Sequence, residues 1–213
     1  LVWIADDTSR SISNRGRIRG VFFDGAEWGA PVDIDTGDTA DFGPALAVAD
    51  DSLFAKWEDF SSDPGENATI EETVAVTEIA VSRYDDATGS WGPKTRLTAN
   101  AVADHNPSLA ADGDEALVVW IRNPDNDLLG SPAAPNTLMA AHYTKGGGWS
   151  APVAIADGIG AVVKADLAFD GSTGTYIYSV DQDGDLGTDS DQELYRVDYG
   201  TGRGWSSPVR LTD

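Results

Sequence analysis

The chain of 213 residues contains no cysteine, only four lysines and only two histidines. Without cysteine it can build no disulfide scaffold and perform no thiol chemistry. Its net charge of -22 and pI near 4.1 argue against a nucleic acid or an anionic membrane as partner, because phosphate binding needs clustered lysine and arginine. No apolar run is long enough for a transmembrane helix, so no membrane insertion is expected.

Helical signals are also scarce. No stretch shows a sustained apolar stripe at the helical period. Of the 36 acidic residues, 28 are Asp and 8 are Glu, and Asp favours turns and caps whereas Glu favours helices. Neither a phosphate-cradling glycine loop nor zinc-ligand spacing is present. The composition therefore predicts an all-β protein.

An internal repeat is the strongest positive signal. Four tryptophans recur at spacings of 63, 58 and 56 residues, namely Trp28, Trp91, Trp149 and Trp205. Eighteen residues after each of the first three stands a leucine followed by alanine, at Leu46, Leu109 and Leu167. Eleven residues further on stands an aromatic, at Trp57, Trp120 and Tyr178. These intervals do not vary, and Trp3 occupies the last of these positions in an incomplete first unit.

A unit of about 58 residues with four short alternating segments predicts a β-propeller of four-stranded antiparallel blades, whose strands we letter A to D. The expected blade units are about 1–35, 43–98, 105–156 and 163–213, in a single domain over 1–213. Strand B should be buried on both faces between blades. Strand A of the first unit is missing, so we expect about four visible blades as an excerpt of a larger ring. The remaining blades would come from the same parent protein.

Loop lengths distinguish the two rims of the predicted propeller. The connection from strand D to the next strand A is constant, whereas the B-to-C loop runs 15, 22, 18 and 16 residues in successive units. Variation concentrated on one rim is typical of a binding face, because loops tolerate change that the scaffold does not. Neutral drift at exposed loops would give the same pattern.

One B-to-C loop, residues 181–193, carries alternating carboxylates around a glycine. Such a loop can place several oxygen atoms around Ca²⁺, which takes about 6 to 8 of them. It resembles the calcium loops of EF-hands, dockerins and integrin-type propellers, although the glycine follows the second aspartate and no helices flank it. We expect Ca²⁺ as a cofactor, bound by Asp181, Asp183, Asp185, Asp189 and Asp191. A plain acidic loop is the alternative, and we favour it for Asn123 to Asp127.

The C-to-D turns, such as 82–91 and 198–205, resemble degenerate Asp-boxes of sialidase-type propellers. That resemblance implies that the turn is structural, lies on the rim opposite an active site, and carries a tryptophan that packs between blades. A sialidase-like enzyme would also need an arginine triad. Arg15, Arg17 and Arg19 alternate along one strand and are expected to form one solvated face. His105 and His142 are expected to be structural, and no catalytic residue is identified.

These observations favour a non-catalytic, calcium-stabilised binding or spacer module of a larger secreted or cell-surface protein. Its ligand would be a glycan or a protein. The alternative is part of a sialidase-like or other glycan-cleaving propeller enzyme.

Overall fold

The computed structural model describes residues 1–49, 52–181, 186–188 and 191–212. These residues form four separate antiparallel sheets, which we number blades 1 to 4 in chain order. The all-β propeller architecture expected from the repeat is confirmed. Within the described ranges, no helix is long and apolar enough to cross a membrane.

The strands follow the chain from blade to blade. Blade 1 contains β1 (Val2–Asp6), β2 (Gly16–Gly20) and β3 (Val32–Asp33). Blade 2 contains β4 (Asp41–Ala49), β5 (Ser52–Phe60), β6 (Thr77–Asp85), β7 (Ser90–Trp91) and β8 (Thr95–Arg96). Blade 3 contains β9 (Ala103–Asp112), β10 (Glu115–Asn123), β11 (Asn136–Thr144), β12 (Gly148–Trp149) and β13 (Val153–Ile159). Blade 4 contains β14 (Ala161–Phe169), β15 (Thr173–Asp181), β16 (Gln192–Gly200), β17 (Gly204–Trp205) and β18 (Val209–Arg210).

Strand D differs from the single continuous strand that the sequence predicts. In blades 2 to 4 it is divided into two segments that both pair with strand C, such as β7 and β8 on β6. Pro93, Pro152 and Pro208 lie in the gaps between these segments. Proline has no backbone N–H to donate to the ladder, so the strand is interrupted there.

Two short helices in B-to-C loops were not predicted: a 3₁₀ turn at Ile12–Asn14 and α1 at Ile70–Val74. The second begins at a capping box. Thr69 Oγ1 accepts from the Glu72 amide at 3.2 Å, and Glu72 Oε2 accepts from the Thr69 amide at 2.8 Å. The Thr-x-x-Glu spacing is a sequence signature of a helix start, and it lies in the longest of these loops.

The core lies between blades, as expected for strand B. Trp57 and Trp120 are fully buried, and Tyr178 is nearly so. Trp57 packs with Ile18 and Ile34 of blade 1, whereas Trp120 packs with Ile79 and other residues of blade 2. Each strand B thus buries its large ring against the preceding blade, where removal of apolar surface from water stabilises the blade junction.

The tryptophans of the C-to-D hairpins are less buried than the sequence suggested. Each indole packs on an aromatic residue of its own blade, which lies at the end of strand C in blades 2 to 4 and is Phe23, three residues past β2, in blade 1. The ring centroids are 5.2, 5.5, 5.4 and 5.2 Å apart in blades 1 to 4. Trp91, Trp149 and Trp205 are half-buried, but Trp28 is 56% exposed. Trp91, Trp149 and Trp205 pack against the core clusters between successive blades, as expected. The expectation of a core position is wrong for Trp28 alone, which lies exposed at the rim.

Strands A of blades 2, 3 and 4 lie side by side, β4 against β9 and β9 against β14. Their first residues lie on the same rim as the B-to-C loops, which we call the crossover rim. The A-to-B and C-to-D turns form the opposite rim, which we call the turn rim. The inner strands therefore bring three blades together at the crossover rim.

Candidate functional site

A central pocket of about 270 Å³ opens where these three inner strands meet. Its lining comes from blades 2, 3 and 4: Gly43, Lys56, Glu58, Asn106, Pro107, Ser108, Ile121, Val162, Val163, Lys164 and Ala165. Because several blades converge on it, the pocket is where a propeller can present side chains to one ligand.

The pocket owes its shape to an irregular start of strand A. Gly43 and Asn106 have φ of 56° and 51° and each precedes a proline. The register of strand A against strand B shifts at both places. Glycine and asparagine are the residues that tolerate this left-handed conformation. The resulting bulges are local kinks, which turn the backbone beside the axis and leave space there.

Two hydrogen bonds fix two charged side chains of the pocket, Lys56 and Glu58. The amide of Asn106 donates to Glu58 Oε1 at 2.7 Å, which joins blade 3 to blade 2. Lys56 Nζ donates to the carbonyl of Gly43 at 2.9 Å. Burial raises the pKa of Glu58 and lowers the pKa of Lys56. Both side chains are therefore partly withdrawn from water and interact strongly with an incoming charge.

Unpaired positive charge distinguishes this pocket from the rest of the surface. Within the described parts of the chain, only four lysine and arginine side chains make no ion pair: Lys56, Arg83, Lys164 and Arg203. Two of these four line the central pocket. In a protein of net charge -22, ion-pair partners are abundant. Two lysines left without one at the same place form a site suited to an anionic group.

A second charged cluster lies nearby but is closed. Oxygen atoms of Asp35, Asp41 and Asp59 lie within 4.8 Å of one another, and all three side chains are buried. Lys94 Nζ lies 2.6 Å from Asp35 Oδ2 and 2.9 Å from Asp59 Oδ1, and Arg96 also binds Asp59. The ammonium group thus occupies the place that a cation would take, so the cluster is an internal ion network.

Asp41 is the unusual member of that network. Burial, followed by the charges of Asp35 and Asp59, raises the pKa of Asp41 to about 8. At the corresponding position of blade 3, Asp104 accepts from Arg122 Nε at 2.8 Å and Nη2 at 3.0 Å, and it also accepts from the Trp120 indole. Blade 2 has Asp59 where blade 3 has Arg122. Asp41 therefore faces carboxylates instead of a guanidinium, and its proton is retained near neutral pH.

The predicted calcium loop is only partly described. Asp183, Asp185 and Asp189 lie outside the described residues. Asp181 is buried at the end of β15, opposite Gln192 at the start of β16, and Asp191 Oδ1 accepts from Thr188 Oγ1 at 3.2 Å. Calcium binding by this loop remains a prediction.

The Asn123 to Asp127 loop binds its own backbone. Asn123 Oδ1 accepts from the amides of Asp125 and Asp127, both at 3.0 Å. Asp127 Oδ1 accepts from the amides of Leu129 and Gly130, both at 3.2 Å. These are the bonds of a self-closing loop, which is the interpretation that the sequence favoured.

The arginines of β2 and its flank pair with aspartates of blade 1. Arg17 lies 2.8 Å from Asp33, Arg19 lies 3.0 Å from the same residue, and Arg15 lies 3.4 Å from Asp6. They form one charged face away from the central pocket.

Both histidines occupy structural surroundings. Burial lowers the pKa of His105 to about 4. His142 lies 3.1 Å from Glu115 and 3.2 Å from the Tyr199 hydroxyl, between blades 3 and 4.

Sequence reasoning did not identify Lys56, Glu58 or Lys164. Two of the only four lysines are among them, but Lys56 lies in strand B of blade 2 and Lys164 in strand A of blade 4. The alignment of those strands from different blades, however, becomes visible only in three dimensions.

No protein-family profile matches the chain, and no curated protein sequence matches it. Solved structures do. A Hadza microbial sialidase is similar with a TM-score of 0.51 and 14% identity over 94% of this chain and 46% of its own. An ulvan lyase is similar with a TM-score of 0.56 and 9% identity, over 93% of this chain and 50% of its own. An exo-1,5-α-L-arabinanase from a bovine ruminal metagenomic library is similar with a TM-score of 0.51 and 10% identity, over 100% of this chain and 78% of its own. The chain spans about half the length of the first two, and the likeness establishes the sialidase-like propeller fold.

Proposed function

We propose that this chain is a glycan-binding β-propeller that recognises a carboxylate or sulfate group of its ligand in the central pocket. The observation that carries the proposal is a pair of lysines, Lys56 and Lys164, that make no ion pair with any described residue and line a pocket built by three blades. Lys56 is half-buried and held by the Gly43 carbonyl, whereas Lys164 is exposed at the edge of the pocket. An anionic ligand gains most from a partner that is partly desolvated and preorganised, which here is Lys56. Glu58 can accept hydrogen bonds from sugar hydroxyls, and the amide groups beside it can donate hydrogen bonds to them.

The fold gives independent support of a weaker kind. The similar structures named above are a sialidase, a polysaccharide lyase and an arabinanase, all named for action on glycans. At this low identity the likeness alone assigns no ligand to this chain, so the proposal depends on the pocket.

Replacing Lys56 or Lys164 by methionine should weaken binding of an acidic oligosaccharide by roughly tenfold each, because each removes one charge-assisted contact. Isothermal titration with an oligogalacturonate measures this. Lys145→Met is the matched control, because Lys145 pairs with Asp114 on the turn rim, away from the pocket. Loss of the Lys145 charge should leave binding unchanged. Equal affinities for all three variants would contradict the proposal.

The binding role is proposed to be non-catalytic, in a secreted or cell-surface protein. The alternative, a glycan-cleaving enzyme, has one observation in its favour: Glu58 in the pocket has a raised pKa, as a general acid requires. No second carboxylate lines the described pocket, and glycoside hydrolysis normally uses two.

We therefore expect no turnover of sialosides or aryl glycosides by this chain. Incubation with both substrate classes, for the native chain and for Glu58→Gln, tests this expectation. Hydrolysis that disappears in the Gln variant would establish the enzyme instead.

We further propose that the loop of residues 181–193 binds Ca²⁺ and stabilises blade 4. A ligand that binds only the native state stabilises it by about 2.7 kcal/mol at a hundredfold excess over Kd. Chelation with EDTA should lower the melting temperature, and Asp183→Asn should remove that response, whereas Asp125→Asn in the self-closing loop should retain it. Identical melting curves of the native chain in EDTA and in millimolar calcium would refute calcium binding.

A further inference from the structure

Strand A of blades 2, 3 and 4 pairs with strand B at an equivalent place near the crossover rim, two residues after the large ring of strand B. The pairs at this place are Asp41 with Asp59 in blade 2, Asp104 with Arg122 in blade 3, and Val162 with Val180 in blade 4. In blades 2 and 3 these side chains take part in ion pairs. The junction between blades 3 and 4 therefore has an apolar pair where the two preceding junctions have charges.

A pocket of about 170 Å³ lies at this apolar junction. One wall is residues 158–160, where strand D of blade 3 passes into strand A of blade 4, and the other wall comes from blade 4: Tyr178, Val180, Tyr195 and Pro208. Both walls belong to neighbouring blades of this chain, so the pocket is a feature of an internal junction.

Two tyrosines give the pocket an aromatic wall. Tyr178 and Tyr195 are cross-strand partners whose rings stack, with centroids 5.6 Å apart and an angle of 19° between the ring planes. At the position of Tyr195, blades 2 and 3 have Ala80 and Met139. Among blades 2 to 4, the second ring is therefore peculiar to the blade that also lacks the charges.

The hydroxyl of Tyr178 lacks the acceptor that the corresponding ring of blade 3 has. Trp120 donates its indole N–H to Asp104 at 2.7 Å, and Val162 takes the place of Asp104 in blade 4. The Tyr178 hydroxyl is buried and has no hydrogen-bond partner among the described residues. Burial raises the pKa of Tyr178 to about 12, so the hydroxyl keeps its proton near neutral pH and can donate it.

We propose that this pocket binds a phenol-type ligand, a neutral six-membered aromatic ring with one oxygen substituent. The volume suits one ring, since an apolar cavity of about 150 Å³ already takes up benzene. The aromatic and aliphatic lining favours a flat apolar body through desolvation and ring packing. The Tyr178 hydroxyl donates to the ligand oxygen, which satisfies a donor whose burial is otherwise costly.

The lining also argues against a whole sugar ring in this pocket. The two tyrosine hydroxyls are the only polar side-chain atoms of the described lining, and most hydroxyls of a hexose would lose water there without gaining a partner. The described linings of this pocket and of the central pocket share no residue. The proposal is therefore independent of anion recognition, and either can fail without the other.

Titration of the 213-residue chain with p-cresol, and separately with toluene, tests the proposal by ¹H–¹⁵N NMR. We expect Tyr178→Phe to weaken p-cresol binding by roughly fivefold, the factor that one hydrogen bond supplies, and to leave toluene binding unchanged. Tyr176→Phe is the matched control. Its hydroxyl is also buried without a partner among the described residues, but Tyr176 does not line the pocket, so this variant should bind both ligands like the native chain.

The amide signals of residues 158–160 localise the ligand. They should shift on addition of p-cresol, whereas the amide of Lys145, beyond the end of β11 at the turn rim, should not. Melting curves of both phenylalanine variants verify folding. Absence of shifts at residues 158–160 up to the solubility limit of p-cresol would overturn the proposal. So would equal p-cresol affinities of the two variants, because the Tyr178 hydroxyl would then make no contact with the ligand.

Discussion

Replacing Lys94 by methionine is expected to lower the free energy of unfolding by about 3 kcal/mol. Removing one partner of a buried ion network leaves uncompensated charge, which costs roughly 3 to 5 kcal/mol. Lys94 bridges Asp35, in the connection between blades 1 and 2, to Asp59 at the end of β5. Both carboxylates are at most 5% exposed, so water cannot replace the ammonium group. Arg96 remains on Asp59, which places the loss at the lower end of that range.

Chemical denaturation at neutral pH measures this loss. Lys145→Met is the control here too, because its pair with Asp114 is exposed on both sides and such pairs contribute about 0 to 1 kcal/mol. If the two methionine variants have the same stability within about 0.5 kcal/mol, the network around Lys94 does not hold blades 1 and 2 together.

Replacing Asp41 by asparagine is expected to stabilise the protein at alkaline pH. Asp41 keeps its proton in the folded state up to a pKa of about 8, whereas an unfolded aspartate ionises near pH 4. The stability that this proton uptake provides is complete below about pH 4 and is lost as the pH rises through 8. Asparagine is neutral at all these pH values. The stability difference between variant and native chain should therefore grow between about pH 4 and 8, by on the order of 4 kcal/mol.

Urea denaturation at pH 5 and pH 8.5 gives the two free energies for each protein. Asp104→Asn is the informative comparison, since that carboxylate binds Arg122 through two nitrogens. We expect Asp104→Asn to destabilise the protein at both pH values, because it breaks a buried charge pair. A gain from Asp41→Asn that is the same at both pH values would show that Asp41 does not hold a proton in the folded state.

The repeat made the fold predictable because the spacing between strand A and strand B is invariant. Leu46 and Trp57, or Leu109 and Trp120, must lie at the same places in successive blades to pack between them. The interruption of strand D was predictable in principle from Pro93, Pro152 and Pro208, and the helix at Ile70–Val74 from its capping box. The exposure of Trp28 was not, because it depends on what covers the hairpin.

The central pocket could not be assembled from the sequence for a different reason. Lys56 and Lys164 are 108 positions apart by number and belong to blades 2 and 4. Only the convergence of the blades brings them together. The raised pKa of Asp41 has the same origin, since Asp35 approaches it from the connection between blades 1 and 2 and Asp59 approaches it from β5. Spacing along the chain predicts local structure, whereas charge clusters between blades depend on the assembled fold.

Anion recognition by the central pocket is tested most directly with a matched pair of ligands. Oligogalacturonate and its fully methyl-esterified form have the same length and linkage and differ in charge, and calorimetric titration at low ionic strength compares their affinities. The pocket built by Lys56 and Lys164 predicts that the charged form binds at least about tenfold more tightly and that added salt reduces the difference. Equal affinity for the two forms, or preference for the ester, would contradict the proposed function.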